Sequence, residues 1–176
     1  MLSDQTQFLN TLTREGRSCE VCLDTEQGEG DLGARMHRAL LRAFASGAAA
    51  AAILGADAPT LPSTLVDDAF TLLARGADAV VIPAHDGGYV LVGASHPVPA
   101  LFDGIPWGTP LVQEVTRRRA RETGLVLAET SSWSDVDVES DLVRLARELA
   151  ADPSRAPATA ALMARLGLYS PPNPML

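Results

Sequence analysis

Residues Ala48-Ala-Ala-Ala-Ala-Ile-Leu54 form an unbroken apolar run between Gly47 and Gly55. The stretch Ile53–Pro62, ILGADAPTLP, carries that run into Asp57, Pro59 and a Pro62-Ser63 helix start. A short apolar run bounded by glycines reads as a buried strand, here the central one. It stops on an acidic residue at its carboxyl end, which is where open α/β sheets place their ligands. A carboxylate there, stiffened by a nearby proline, suits a divalent cation that bridges to phosphate. The same residues suit a turn or N-cap aspartate, because Asp-x-Pro is common turn chemistry. On this stretch alone both readings stand.

The 14 basic residues of the chain are all arginine. A phosphate loop of the Walker type needs a lysine and is therefore excluded. Phosphate would have to be met by arginine, backbone N–H groups or a metal. The formal net charge of −8 argues against non-specific nucleic-acid binding. A small anionic ligand then needs a metal or a local arginine to offset the field. The chain of 176 residues suffices for one domain with a real core. Its opening, MLSDQTQFLN, lacks a basic start and an apolar core segment. The longest apolar run, Ala43–Ala56, is too short to span a bilayer, so the expectation is a cytoplasmic protein with no membrane partner. Cys19 and Cys22 form a C-x-x-C without two further ligands at zinc spacing, and read as small core or surface residues.

Along the chain the patterns alternate. Thr6–Arg14 and Ser18–Asp24 read as a helix and a half-exposed strand. Gln27–Gly33 is a glycine-rich turn that opens a helix over Leu32–Ser46, stopped by Gly47. The strand Ala50–Leu54 follows. Ser63–Ala74 reads as an amphipathic helix capped by Gly76, and Ala79–Pro83 as a buried strand. Asp86-Gly87-Gly88 is a tight turn into a strand over Tyr89–Val92, a hairpin-like unit. Pro97–Ile105 is irregular or a short helical turn. Thr109–Glu122 reads as a helix, Gly124–Ala128 as a strand, and the acidic loop Ser134–Ser140 opens a helix over Asp141–Ala150. Beyond Pro153 and Pro157 a short Ala-rich helix leads to a proline-rich tail, Ser170–Pro174. Alternating strands and helices with one hairpin make an α/β domain with a mixed sheet.

Three acidic positions fall at loop ends: Asp57, Asp86 and the pair Asp135/Asp137. Two carboxylates together with substrate phosphates are what magnesium or manganese requires. Asp135, Asp137 and Glu139 also suit the electropositive start of the helix that follows. Gly28, Gly30, Asp31 and Gly33 present backbone N–H groups at a helix N-terminus, a setting for a nucleobase, ribose or phosphate. Gly87-Gly88 allows either a plain hairpin turn or close approach by a ligand. The cluster Arg117-Arg118-Arg119 with Arg121 reads as a solvated helix face.

Five segments occur in order: QGEGDLGARM (Gln27–Met36), LGADAPTL (Leu54–Leu61), PAHDGGYVLVG (Pro83–Gly93), LFDGIPWGT (Leu101–Thr109) and DVDVESDL (Asp135–Leu142). Together they resemble a bacterial glycosyltransferase-like family of unknown function that includes arsenosugar-biosynthesis-type transferases. The resemblance runs over roughly residues 25–147. It implies a GT-A-like α/β/α sandwich with a mixed sheet over residues 1–150, and a short helix with a Pro-rich tail over 151–176. It implies a nucleotide-diphospho-sugar donor and a divalent metal, magnesium or manganese. By motif match Asp57 is the metal-binding aspartate and Asp137 a second metal or phosphate neighbour. Asp86-Gly87-Gly88, with Tyr89, is a wall of the donor pocket. Gly28, Gly30, Asp31 and Gly33 lie near the nucleotide, and Asp86 is the best acidic candidate for a catalytic base. The family opens with a strand, a phosphate-binding loop, a helix and a second strand ahead of the QGEGDLG segment. Only some two dozen residues precede that segment here, so those elements are expected to be missing and sheet edges to be open. Open edges invite pairing with another chain. The alternative expectation is therefore a non-catalytic partner or scaffold subunit, associating as a homodimer or with a partner chain. The family's Thr-Pro after the second aspartate is replaced by Val138-Glu139.

Overall fold

A computed structural model describes residues 27–168. The expected helix Thr6–Arg14, the strand Ser18–Asp24, both cysteines and the tail Ser170–Pro174 lie outside them. The helices are α1 (Leu32–Ala45), α2 (Ser63–Ala74), α3 (Val112–Thr123), α4 (Glu139–Ala151) and α5 (Pro157–Arg165). The strands are β1 (Ala51–Leu54), β2 (Ala79–Pro83), β3 (Tyr89–Ala94) and β4 (Leu127–Glu129). Two compact units emerge, one holding residues 27–55 and 64–133, the other 56–63 and 134–168.

The first unit carries the sheet, in the order β1-β3-β2-β4. β3 runs antiparallel to both β1 and β2, pairing Ile53 with Val92 and Val81 with Val92, and β4 runs parallel to β2. Every residue of β2 is buried. Its β-branched run, Val80-Val81-Ile82, is what a strand covered on both faces requires. The expectation that the alanine run forms the central strand is corrected. Among the described residues β1 pairs with β3 alone, and only Ala51 in it is buried. Small alanine side chains bury too little area to claim the middle of a sheet that Val and Ile can fill.

Helix α1 starts where Asp31 accepts a hydrogen bond from Ala34 N at 2.8 Å and turns Met36 and Leu40 into the core. There they meet Ala51, Val81, Val92, Leu101 and Phe102. A second apolar cluster joins Ile105, Val112 and Val115 with Tyr89 and Trp107. Helix α3 begins at Val112 rather than Thr109, because Thr109 Oγ1 donates to Pro106 O and accepts from Leu111 N, holding a turn there. Gly124 ends α3 in the left-handed conformation, so β4 forms only at Leu127. The arginine face is paired rather than simply solvated: Arg117 makes a two-pronged bond to Glu129 at 2.6 and 2.7 Å. In the second unit Leu145 and Leu149 of α4 pack on Ala156, Ala160 and Met163. α4 starts two residues before the expected Asp141.

Asp78, at the entry to β2, staples two neighbours. Its Oδ2 accepts from Val126 N at 2.7 Å and its Oδ1 faces His96 Nε2 at 2.9 Å. His96 Nδ1 faces Pro97 O at 3.1 Å. Both ring nitrogens thus meet acceptors, an arrangement that the imidazolium satisfies. The hydrogen bond to Asp78, then that to Pro97 O, raises the His96 pKa. The hydrogen bond from His96, then that from Val126, lowers that of Asp78. The raised His96 contributes stability below its ordinary value of 6.5 that is lost as pH rises through the raised one. The lowered Asp78 contributes above 3.8 and fades as pH falls through the lowered one. The melting-temperature gap between wild type and His96→Ala is accordingly widest between about pH 4 and 6.5 and narrows at alkaline pH. Thermal melts across that range check it; a gap that grows with pH overturns it.

Candidate functional site

The glycine-rich turn is built from its carbonyls. Gly28 and Gly30 both have positive φ, 79° and 103°. The turn folds back so that Gln27 O and Glu29 O both accept from Arg38 Nη2, the former at 2.9 Å. Gln27 Oε1 takes Arg35 Nη1 at 3.3 Å. Arg38 is therefore committed to the turn as a structural cation, a role sequence reasoning missed. The signal was present: Arg38 lies two helical turns beyond Asp31, on the face beneath the loop. Beside the head of α1 runs a groove of about 600 Å³ lined by Asp31, Ala34, His37, Pro99, Phe102 and Asp103. His37 lies flat on Phe102, ring centroids 5.7 Å apart.

The Asp86-Gly87-Gly88 turn is locked from two sides. Asp86 Oδ1 accepts from Gly88 N at 2.9 Å, an Asx-type turn that leaves the carboxylate exposed. Gly87 has φ +97°, and a Cβ built there would lie 2.2 Å from Pro110 O. Its own carbonyl accepts from Gln113 N at 2.9 Å, at the start of α3. Tyr89 then turns inward. Its hydroxyl is buried without a hydrogen-bond partner, and its ring meets Trp107 edge-on at 6.2 Å. Burial pushes the Tyr89 phenol up, and the neighbouring Thr116 hydroxyl pulls less strongly the other way, although the two do not meet in hydrogen-bond geometry. Gly33 reaches the same region: a Cβ there would lie 2.6 Å from Trp107 Nε1 and 2.4 Å from Phe102 O. The structure thus brings Gly33, Trp107, Tyr89 and the Asp86 turn into one packed neighbourhood.

The second unit holds the remaining acidic positions. Asp57 is half-buried, in the turn that leads to Pro59 and the buried Thr60, whose Oγ1 donates to Glu148 at 3.1 Å. Asp135 and Asp137 offer carboxylate oxygens within 4.8 Å of one another, and Asp57 does not join them in a three-residue cluster at that distance. Their backbone is held by side chains the sequence reading left out. Asp141 Oδ2 accepts from the N–H groups of both Asp137 and Val138 at 3.1 Å, and Arg144 donates to Asp135 O. Those two backbone N–H groups, Val138 first, hold the Asp141 carboxyl below its usual range, and Arg144 adds to the effect. An aspartate in the first turn of a helix was the available signal. A close carboxylate pair supplies the oxygen donors that a hard divalent cation takes, so the residues present fit such an ion.

Among the described residues no helix is long and apolar enough to cross a membrane. Comparison with curated proteins finds no match. Among solved structures the chain is similar to a proposed nucleotide-diphospho-sugar transferase from Desulfovibrio desulfuricans G20. The two are 36% identical with a TM-score of 0.71, over 81% of this chain and 62% of that one. The fold is accordingly the GT-A-like α/β fold with a mixed sheet. Residues 4–109 match the family described as uncharacterized proteins conserved in bacteria, DUF2064. That span is more than half of the chain, and the protein belongs to the DUF2064 family.

Proposed function

We propose that this protein is a metal-dependent transferase of the GT-A type that acts on a nucleotide-diphospho-sugar donor. The observation that carries the reading is the similarity to the proposed Desulfovibrio transferase at 36% identity. Kinship with arsenosugar-biosynthesis-type transferases is part of the same proposal. Gly28, Gly30, Asp31 and Gly33 meet the nucleotide through the backbone at the head of α1. Gly87, Gly88 and Tyr89 form a wall of the donor pocket. The resemblance assigns Asp57 and Asp137 to a divalent cation; the close oxygen donors come from the Asp135–Asp137 pair, and Asp57 stands outside that pair. A cation bound there would supply Lewis-acid stabilisation of the leaving diphosphate. Asp86 is the base: its Oδ1 is held by Gly88 N–H, and Oδ2 is the atom that accepts the acceptor's proton.

Thermal unfolding against nucleotides and nucleotide sugars, with and without manganese, tests this. A ligand at 100 times its dissociation constant adds about 2.7 kcal/mol, a shift of roughly 5–10 °C for a chain of this size. Asp137→Ala and Asp57→Ala remove the manganese-dependent part. A wild-type protein that melts cooperatively and shifts with no member overturns the donor reading. Equal shifts with and without manganese overturn the metal.

One observation favours a second reading, a non-catalytic partner subunit. Among the described residues β1 has a strand neighbour on one side only, and an open strand edge is a template for a further strand. A stable monomer in light scattering at high concentration overturns association through that edge.

A further inference from the structure

We infer that Trp107 is a positioning residue whose indole sets the distance between the glycine-rich turn at the head of α1 and the Asp86–Tyr89 turn. Two contacts made by one rigid ring system carry this. Nε1 and Cζ2 lie so close to Gly33 that a Cβ there would sit 2.6 and 2.8 Å from them. The Tyr89 ring meets the same indole at 87° and 6.2 Å. Gly33 lies in the first turn of α1, and Tyr89 follows Gly88 directly, so one side chain touches the end of each turn. Trp107 is itself held: its backbone N–H donates to Ile105 O at 2.9 Å, and it packs on the Ile105, Val112 and Val115 cluster. Its Nε1 is buried without a hydrogen-bond partner. Packing rather than a polar bond therefore fixes the ring, and a planar indole with two torsions transmits distance well.

A phenylalanine at this position keeps a ring against Tyr89 but lacks the atoms that reach Gly33. An alanine releases both turns. The functional consequence rests on the donor reading above, in which both turns touch the nucleotide sugar. A displacement of about 1 Å between groups that grip one ligand is enough to cost orders of magnitude in productive binding.

Amide hydrogen exchange on the full chain tests the strut without any ligand. In Trp107→Ala, the hydrogen-bonded amides of Ala34 and Arg35 at the head of α1 and of Gly88 in the Asp86 turn exchange at least about tenfold faster, while β2 and the core of β3 keep wild-type rates. In Trp107→Phe only the Ala34 and Arg35 amides loosen. Wild-type rates in both turns of Trp107→Ala overturn the inference. So does a loosening of β2 as large as that of the turns, which marks a merely structural role. A second arm titrates UDP-, GDP-, ADP-, CDP- and dTDP-glucose with manganese chloride. With the member that shifts wild type, Trp107→Ala loses at least about tenfold in affinity and Trp107→Phe falls between. Unchanged affinity in both variants overturns the role in binding. If no member shifts wild type, the donor reading falls, and the exchange arm still decides the strut.

Discussion

Gly87→Ala lowers the melting temperature by roughly 10 °C, and does so through a contact rather than through lost flexibility. The backbone at Gly87 has φ +97°, which alone costs an alanine about 1–2 kcal/mol. The added Cβ would also lie 2.2 Å from Pro110 O and 2.8 Å from its carbon, both backbone atoms that no rotamer change moves. Overpacking of that kind adds about 1–3 kcal/mol. The sum, about 2–5 kcal/mol, is worth roughly 2–4 °C per kcal/mol in a chain of this length. Gly47→Ala is the control, since Gly47 has φ +92° with nothing within 4 Å of a Cβ. It loses only the conformational part. Calorimetric melts of both variants read the difference, and equal losses mean that the Pro110 contact carries no energy. Because the same turn presents Asp86, Gly87→Ala also disturbs whatever chemistry that carboxylate performs.

Gly33→Ala separates two rules that predict opposite signs. Gly33 lies in the first turn of α1 with no positive φ, so helix propensity alone predicts that alanine stabilises by about 1 kcal/mol. The packing predicts the reverse. A Cβ would lie 2.4 Å from Phe102 O and 2.6 Å from Trp107 Nε1. Displacing a backbone carbonyl and a packed indole costs about 1–3 kcal/mol, which cancels or exceeds the propensity gain. Chemical denaturation is expected to show a lower midpoint with an unchanged slope. A stabilised variant means that the head of α1 and the Phe102–Trp107 segment are not in contact.

Local rules read most elements of this chain correctly. Ser63–Ala74 and Ala79–Pro83 coincide with α2 and β2, because amphipathic spacing and an unbroken β-branched run are visible within one window. Asp86-Gly87-Gly88 is the tight turn it reads as, since aspartate and glycine carry their turn chemistry with them. Two departures stand out, one from a local side-chain turn and one from a pairing farther along the chain. Helix α3 starts late because Thr109 closes a turn on Pro106. Arg118 and Arg119 of α3 meet Glu122 one turn on, and Arg117 pairs across to Glu129 in β4.

The same division applies to the candidate site. Its acidic and glycine residues were legible as types at loop ends, but their supports were not. Arg38 holding the glycine-rich turn, Asp141 gathering the N–H groups of Asp137 and Val138, and Trp107 between Gly33 and Tyr89 are all contacts made by folding. By itself the sequence determined the kinds of element, their caps and the phosphate chemistry that an all-arginine chain can use. These follow from torsional preference, periodicity and charge, which act within a few residues. Only the tertiary structure decided that β3 separates β1 from β2, that the alanine run takes an edge among the described strands, and that Gly87 rests on Pro110. Strand order and side-chain contact depend on which apolar faces bury the most area together, a competition among residues far apart in the chain.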